Sequence, residues 1–179
     1  MSLKKIAIVG PESTGKSQLA EQLAKHNNTK WVPEYAREYL EYLGRPYHQG
    51  DLLEIAKGQI KLEDKIATKT RDLLFCDTNL IVLKIWSDHS YGETDKWILD
   101  QLQKRHYDYY LLTDIDLPWE PDLLREHPDM RGYFFKKYED YLINSNLPFS
   151  IVCGQGEERF KNALTSLNSM SLKAINLNP

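Results

Sequence analysis

Residues 10–17 read Gly-Pro-Glu-Ser-Thr-Gly-Lys-Ser, a complete G-x-x-x-x-G-K-[ST] pattern, which demands a buried strand before it and a helix after it. Both neighbours are present. Ile6-Ala7-Ile8-Val9 form an apolar run ahead of the pattern, and Leu19, Ala20, Leu23 and Ala24 recur behind it at helical spacing. Gly10 and Gly15 admit backbone conformations closed to a residue with a Cβ, so that successive N–H groups can turn inward around phosphate oxygens. Lys16 then brings a point charge to the β and γ phosphates, Ser17 offers its hydroxyl to Mg²⁺, and the positive end of the next helix adds to both. The segment Gly10, Pro11, Glu12, Ser13, Thr14, Gly15, Lys16 and Ser17, with the adjoining Gln18, is thus expected to bind the nucleotide cofactor, with Ser17 on the metal.

Apolar runs recur at residues 73–76, 109–113 and 149–153, with a weaker one at Trp31-Val32, and helical patterns separate them. Strands alternating with helices predict an α/β fold with a parallel sheet covered on both faces and ligands at the carboxyl ends of the strands. Tyr35, Tyr39 and Tyr42 mark one helix; Leu52, Ile55, Ala56, Ile60 and Ala67 mark a longer one after Gly50, an unusually long excursion between two strands. Further helices are expected over 78–86, 93–105 and 131–144. In the last, Phe134, Tyr138, Tyr141 and Leu142 repeat every three to four residues and read mostly as core. The stretch 169–179 reads either as a terminal edge strand or as a frayed end.

The 179 residues suit one domain with a small lid. Net charge is −3 and the positive residues are scattered, so neither a nucleic-acid footprint nor a polybasic membrane patch is expected. No apolar run approaches the length needed to span a bilayer, and residues 1–5 lack a signal-peptide core, which points to the cytoplasm. Cys76 and Cys153 sit in apolar runs and read as reduced core residues. The five histidines show no zinc spacing. Oligomeric state is not encoded in any pattern here.

Asp77 ends the run 73–76, where a phosphate-loop protein places an acidic residue on Mg²⁺; the alternative is a helix cap within Asp77-Thr78-Asn79. Glu34 and Arg37, one helical turn apart past Trp31-Val32, fit a general base and a charge-stabilising group, or simply an exposed ion pair. The proline-punctuated stretch 114–131 reads as a lid carrying Arg125 and Arg131, with Trp119 either stacking on a ring or anchoring the loop. Arg159, after Gly154-Gln155-Gly156, either packs over the nucleotide base or lies on the surface.

With these residues in place, the chain resembles the ribosylnicotinamide kinase domain of the bacterial bifunctional nicotinamide-nucleotide adenylyltransferase and regulator family. Gly-Pro-Glu-Ser-Thr-Gly-Lys-Ser looks like that family's loop. Glu34-Tyr35-Ala36-Arg37-Glu38-Tyr39 looks like its Glu-Tyr-Gly-Arg-Glu-Tyr, and Asp77-Thr78 like its Asp-Thr. Pro118-Trp119 with Asp122, Leu124 and Arg125 resembles its lid, and Arg159-Phe160 its Arg-Phe pair. The resemblance spans about residues 6–164. It implies a P-loop kinase fold with sheet order 2-3-1-4-5, ATP with Mg²⁺ as cofactors, and transfer of phosphate to the 5′-hydroxyl of nicotinamide riboside. It also implies catalytic roles for Lys16, Glu34, Arg37, Asp77, Arg125 and Arg131. An acceptor site is implied around Glu34, Tyr35, Arg37, Asp77, Asn79 and Trp119. The sequence departs from the family at two points near the acceptor: Pro33 stands where a tryptophan is frequent, and Asn79 where an aspartate is. Nothing here matches the family's DNA-binding or adenylyltransferase parts. Kinases of other nucleosides or nucleotides, and a regulatory ATPase, share the loop and stay open as alternatives.

Overall fold

Five strands, β1 (Lys4–Val9), β2 (Lys30–Val32), β3 (Leu73–Asp77), β4 (Tyr109–Thr113) and β5 (Phe149–Val152), pair in parallel in the order β2-β3-β1-β4-β5. The computed structural model describes residues 2–122 and 125–175, from 170 onward by backbone alone. Seven helices, among the described residues, cover the sheet: α1 (Lys16–His26), α2 (Tyr35–Leu43), α3 (Gln49–Ala67), α4 (Leu80–Tyr91), α5 (Lys96–Lys104), α6 (Arg131–Asn144) and α7 (Glu157–Ile175).

Side chains alternate across a strand, and the central β1 exploits this fully. Ile6 and Ile8 face Leu19 and Leu23 of α1 and Ala163 of α7, whereas Ala7 and Val9 join Ile81 and Ile85 of α4 and Tyr138 and Leu142 of α6. All four β1 residues are fully buried. Burying a large aliphatic side chain contributes about 1.5–3 kcal/mol, so the strand that launches the phosphate loop is the most firmly held in the sheet. Register completes the placement: Ile8 lies opposite Asp77 and Val9 opposite Leu112, which brings the ends of β3 and β4 to either side of Gly10.

The long excursion between β2 and β3 forms α2 and α3, which pack on α4 and α5 through Ala36, Leu52, Ile55, Leu80, Leu83 and Ile98. Their junction is pinned at Asp51. This buried carboxylate accepts two 2.8 Å bonds from Arg45, one from the Tyr39 hydroxyl and one from the His48 N–H. Arg45 beside it holds the carboxyl well below the usual carboxylate range.

Residues 169–175 continue α7 and form no edge strand; residues 176–179, the rest of that stretch, lie outside the described residues. Helix α4 begins two residues later than expected, because Thr78 takes a left-handed φ of 65° and Asn79 supplies the cap. Cys76 is buried as expected. Cys153 falls just past β5 and is exposed, so it is not a core residue. Among the described residues no helix is long and apolar enough to cross a membrane.

Candidate active site

The loop leaves β1 at Gly10 with φ +143°, where a Cβ would stand 2.4 Å from Thr113 Oγ1. Only glycine fits so close to β4. Thr113 Oγ1 also lies 2.7 Å from Thr14 Oγ1, which donates to the Pro11 carbonyl at 2.8 Å and fixes the loop's curvature. Gly15, at φ +73°, caps α1, and no acidic residue occupies the first turn of that helix. Its positive end is therefore open to an anion. Lys16 Nζ donates to the Pro11 carbonyl at 2.7 Å and so arches back over the loop.

A cleft of about 560 Å³ opens above the loop. Its floor is the whole segment Gly10 to Gln18; Glu34 and Arg37 stand on one side, and Leu117, Pro118, Glu120 and Arg125 of the lid on another. The same cleft extends into a chamber between α2, α4 and α6, walled by Leu40, Val82, Ile85, Trp86, Phe134 and Tyr138.

Asp77 sits at the end of β3, 1 % exposed, and neither of its oxygens has a hydrogen-bond partner among the described residues. The expectation of a helix cap at this position goes to Asn79 instead, whose Oδ1 accepts from Ile81 N at 3.0 Å. Burial, then the negative charge of Glu34, pushes the Asp77 pKa up to about 6. Lys16, the nearby Ser17 hydroxyl and Arg37 pull the other way, the hydroxyl without closing a hydrogen bond. A buried, unpartnered carboxylate ringed by a lysine, a serine and a second carboxylate suits a divalent cation, which with phosphate oxygens needs only one or two protein ligands.

The exposed ion pair between Glu34 and Arg37, the alternative to a functional role, does not form among the described residues. Arg37 reaches across to the lid instead, with Asp122 Oδ2 at 3.1 Å, and to Glu41 at 3.9 Å. The lid is also tied to the phosphate loop itself. Glu12 Oε2 accepts from Glu126 N at 3.1 Å and His127 N at 3.4 Å, and Ser13 Oγ accepts from Glu120 N at 2.9 Å and Arg125 at 3.4 Å. Burial pushes the Glu12 carboxyl up in pKa against these contacts. Leu124, part of the lid resemblance, lies outside the described residues.

Six expected site residues do not line the cleft: the buried Asp77 and five more. The Tyr35 ring packs against Gly58 of α3, where a Cβ would meet it at 2.0 Å, and its N–H donates to Gln59. Asn79 caps α4 and is buried. Trp119 anchors the lid: the Arg131 guanidinium lies 5.9 Å from its ring centre, and Arg131 donates to the Leu117 carbonyl at 2.7 Å. Arg159 is neither on the surface nor over the cleft. It is 4 % exposed and bonds the carbonyls of Thr14, Gly154 and Asp114 and the Asp116 carboxylate, bracing the loop from behind. Conversely, the sequence reading missed Trp86 and Tyr138 as chamber residues. Their helical spacing signals core, and only the tertiary arrangement shows that one side of each faces empty space.

The family profile described as AAA domain matches residues 5–159. The trifunctional NAD biosynthesis/regulator protein NadR of Salmonella typhimurium, and likewise that of Escherichia coli, is 28% identical over 127 residues, 69% of this chain and 31% of the relative. The chain thus spans about a third of the length of the curated relatives it matches. Crystal structures of NadR protein in complex with NR, and with NAD and AMP-PNP, superpose with a TM-score of 0.73 at 22% identity, over 93% of this chain and 49% of theirs. Thymidylate kinase from Ehrlichia chaffeensis shares the fold at a TM-score of 0.59 and 15% identity, over 96% of this chain and 99% of that one.

Proposed function

The chain belongs to the AAA domain family, and from that membership we propose that it is an ATP-dependent nucleoside kinase whose acceptor is nicotinamide riboside, converted to the mononucleotide. The observation that carries this reading is Asp77, buried without a partner beneath Lys16 and Ser17 and within the field of Glu34. A charge held so unfavourably marks a place built for a ligand. NadR protein is known in complex with NR and with AMP-PNP, an ATP analogue, and a nucleotide kinase shares the fold, which supports this choice over a regulatory ATPase.

Ser17 and Asp77 are the residues that would hold Mg²⁺, which would supply positive charge against the phosphate oxygens during transfer. The loop N–H groups and the end of α1 seat the phosphates, and Lys16 exchanges the Pro11 carbonyl for their oxygens. Glu34 takes the proton of the acceptor's 5′-hydroxyl across the cleft. Arg37 and Arg125 face the charge that spreads during transfer, while Arg131 with Trp119 holds the lid that excludes water. Arg159 acts through the loop it braces. On this reading residues 1–179 form one kinase domain, with residues 114–131 as the lid, working in the cytoplasm on a small molecule.

A panel of nucleosides and nucleoside monophosphates, read by ADP release with Mg²⁺, tests the proposal. Nicotinamide riboside is expected to stimulate turnover most; stimulation by another acceptor alone redirects the assignment, and slow acceptor-independent hydrolysis refutes it.

A further inference from the structure

Two features of the chamber bear on which acceptor it takes. Tyr138, on α6, is 4 % exposed, yet its hydroxyl has no hydrogen-bond partner among the described residues, and the residue lines the cleft. Although the side chain is buried, its hydroxyl oxygen is not fully enclosed and opens onto the cleft, where a ligand can meet it. Tyr138 shares a cluster of buried side chains with Val9, the residue that leads into the phosphate loop, which puts it toward the reacting end of the chamber; burial raises its pKa and the charges of Glu34 and Glu12 add to this. Trp86 supplies a flat wall. Its indole N–H donates to the Tyr47 hydroxyl at 2.8 Å, the Tyr47 ring meets it edge-on at 4.9 Å, and Tyr47 donates in turn to Glu126 of the lid at 3.0 Å. The ring is thus held in one orientation.

This matters because the chain has no aromatic residue just before Glu34. Pro33 stands there, its carbonyl bound by Gln59, and Trp31 packs on the opposite face of the sheet with the α1 and α7 cluster. The chamber therefore takes its flat surface from α4 and its free hydroxyl from α6.

We propose that Tyr138 is a specificity-determining residue of the acceptor chamber, donating its hydroxyl to a ribose hydroxyl of the nucleoside while Trp86 walls the base. The inference rests on the nucleoside-kinase reading and narrows it to ribonucleosides. A sugar hydroxyl next to the reacting alcohol lies at the end of the chamber where Glu34 is found, and it can satisfy the phenol that the protein leaves free.

The test compares nicotinamide riboside with its 2′-deoxy and 3′-deoxy analogues in the wild-type protein and in Tyr138→Phe, which removes one oxygen and keeps the ring. The wild type should use one deoxy analogue with kcat/KM lower by about tenfold. Tyr138→Phe should raise KM for the ribonucleoside by about the same factor, leave KM for ATP unchanged, and erase the preference over that analogue. A purely structural tyrosine would not erase it. Equal use of all three acceptors by the wild type overturns the inference without recourse to the variant, as does a variant that keeps the wild-type preference. Either result leaves the kinase reading intact, because phosphorylation still occurs. Failure of the wild type to phosphorylate any of the three overturns both.

Discussion

Asn79 caps α4 through a 3.0 Å bond to Ile81 N, and by doing so it leaves Asp77, two residues earlier, with both carboxylate oxygens buried and unpartnered. Of Asp77 and Asn79, it is the amide that caps the helix. The carboxylate is left for a ligand, and in the ligand-free protein it destabilises the fold.

That division predicts opposite effects on stability and activity. A pKa raised from 3.8 to about 6 means that the folded protein binds the proton more tightly than the unfolded chain does. The group therefore favours the fold fully below pH 3.8, and this contribution is lost as the pH rises through 6. Asp77→Asn should remove the resulting penalty, stabilising the nucleotide-free protein by at most about 3 kcal/mol at pH 7.5 and by nothing at pH 3.5. Turnover with Mg²⁺ should be lost. Urea denaturation at the two pH values, beside an ADP-release assay, checks both arms; a variant less stable at pH 7.5 would mean that the carboxylate is structural.

Glu12 ties the lid to the phosphate loop through the N–H groups of Glu126 and His127. Glu12→Ala removes the acceptor for both and should free the lid while leaving the fold intact. Hydrogen exchange is expected to speed up at residues 126 and 127 and to stay slow in β1. Acceptor-independent ATP hydrolysis should rise several-fold as water enters. Unchanged exchange in the lid would show that Ser13 and Arg37 hold it without Glu12.

At the amino end of the sheet, away from the cleft, Glu63 is 1 % exposed and bonds Lys5 at 2.9 Å, Arg105 at 3.2 Å and the Tyr107 hydroxyl at 2.6 Å. Removing it strands the Lys5 ammonium and a buried phenol, while Arg105 keeps its pair with Asp64, so Glu63→Ala should cost about 3 kcal/mol of unfolding free energy. KM for both substrates should stay at the wild-type value. Thermal denaturation and steady-state kinetics on the same preparation test this; a large rise in KM would mean that the network reaches the site.

The fold was legible because one motif supplied its own context. Residues 10–17 require a strand before and a helix after, and the alternation of apolar runs then carries the pattern through β3, β4 and β5. Strand β2 was faint because only three residues pair, and α4 was misplaced at its start because three adjacent polar residues compete to cap it. In the candidate site, residues whose roles depend on backbone position, such as Gly10 and Lys16, could be read directly. Those whose roles depend on where a side chain is spent could not. Arg125, Arg131 and Arg159 all carry the same guanidinium and all donate to backbone carbonyls, yet only Arg125 lines the cleft, and Tyr138 has the helical spacing of its core neighbours. Helical periodicity records which face is buried, not whether the atoms on that face have partners.

The central claim is that the loop aims a phosphoryl group at an alcohol held across the cleft by Glu34, and phosphorus NMR of a mixture of ATP, Mg²⁺ and nicotinamide riboside tests it most directly. The account predicts that ADP and a phosphate monoester of the riboside appear one for one, and that Glu34→Gln slows both by at least about 100-fold. ADP accumulating at the same rate with and without the riboside, matched by free phosphate, would contradict it.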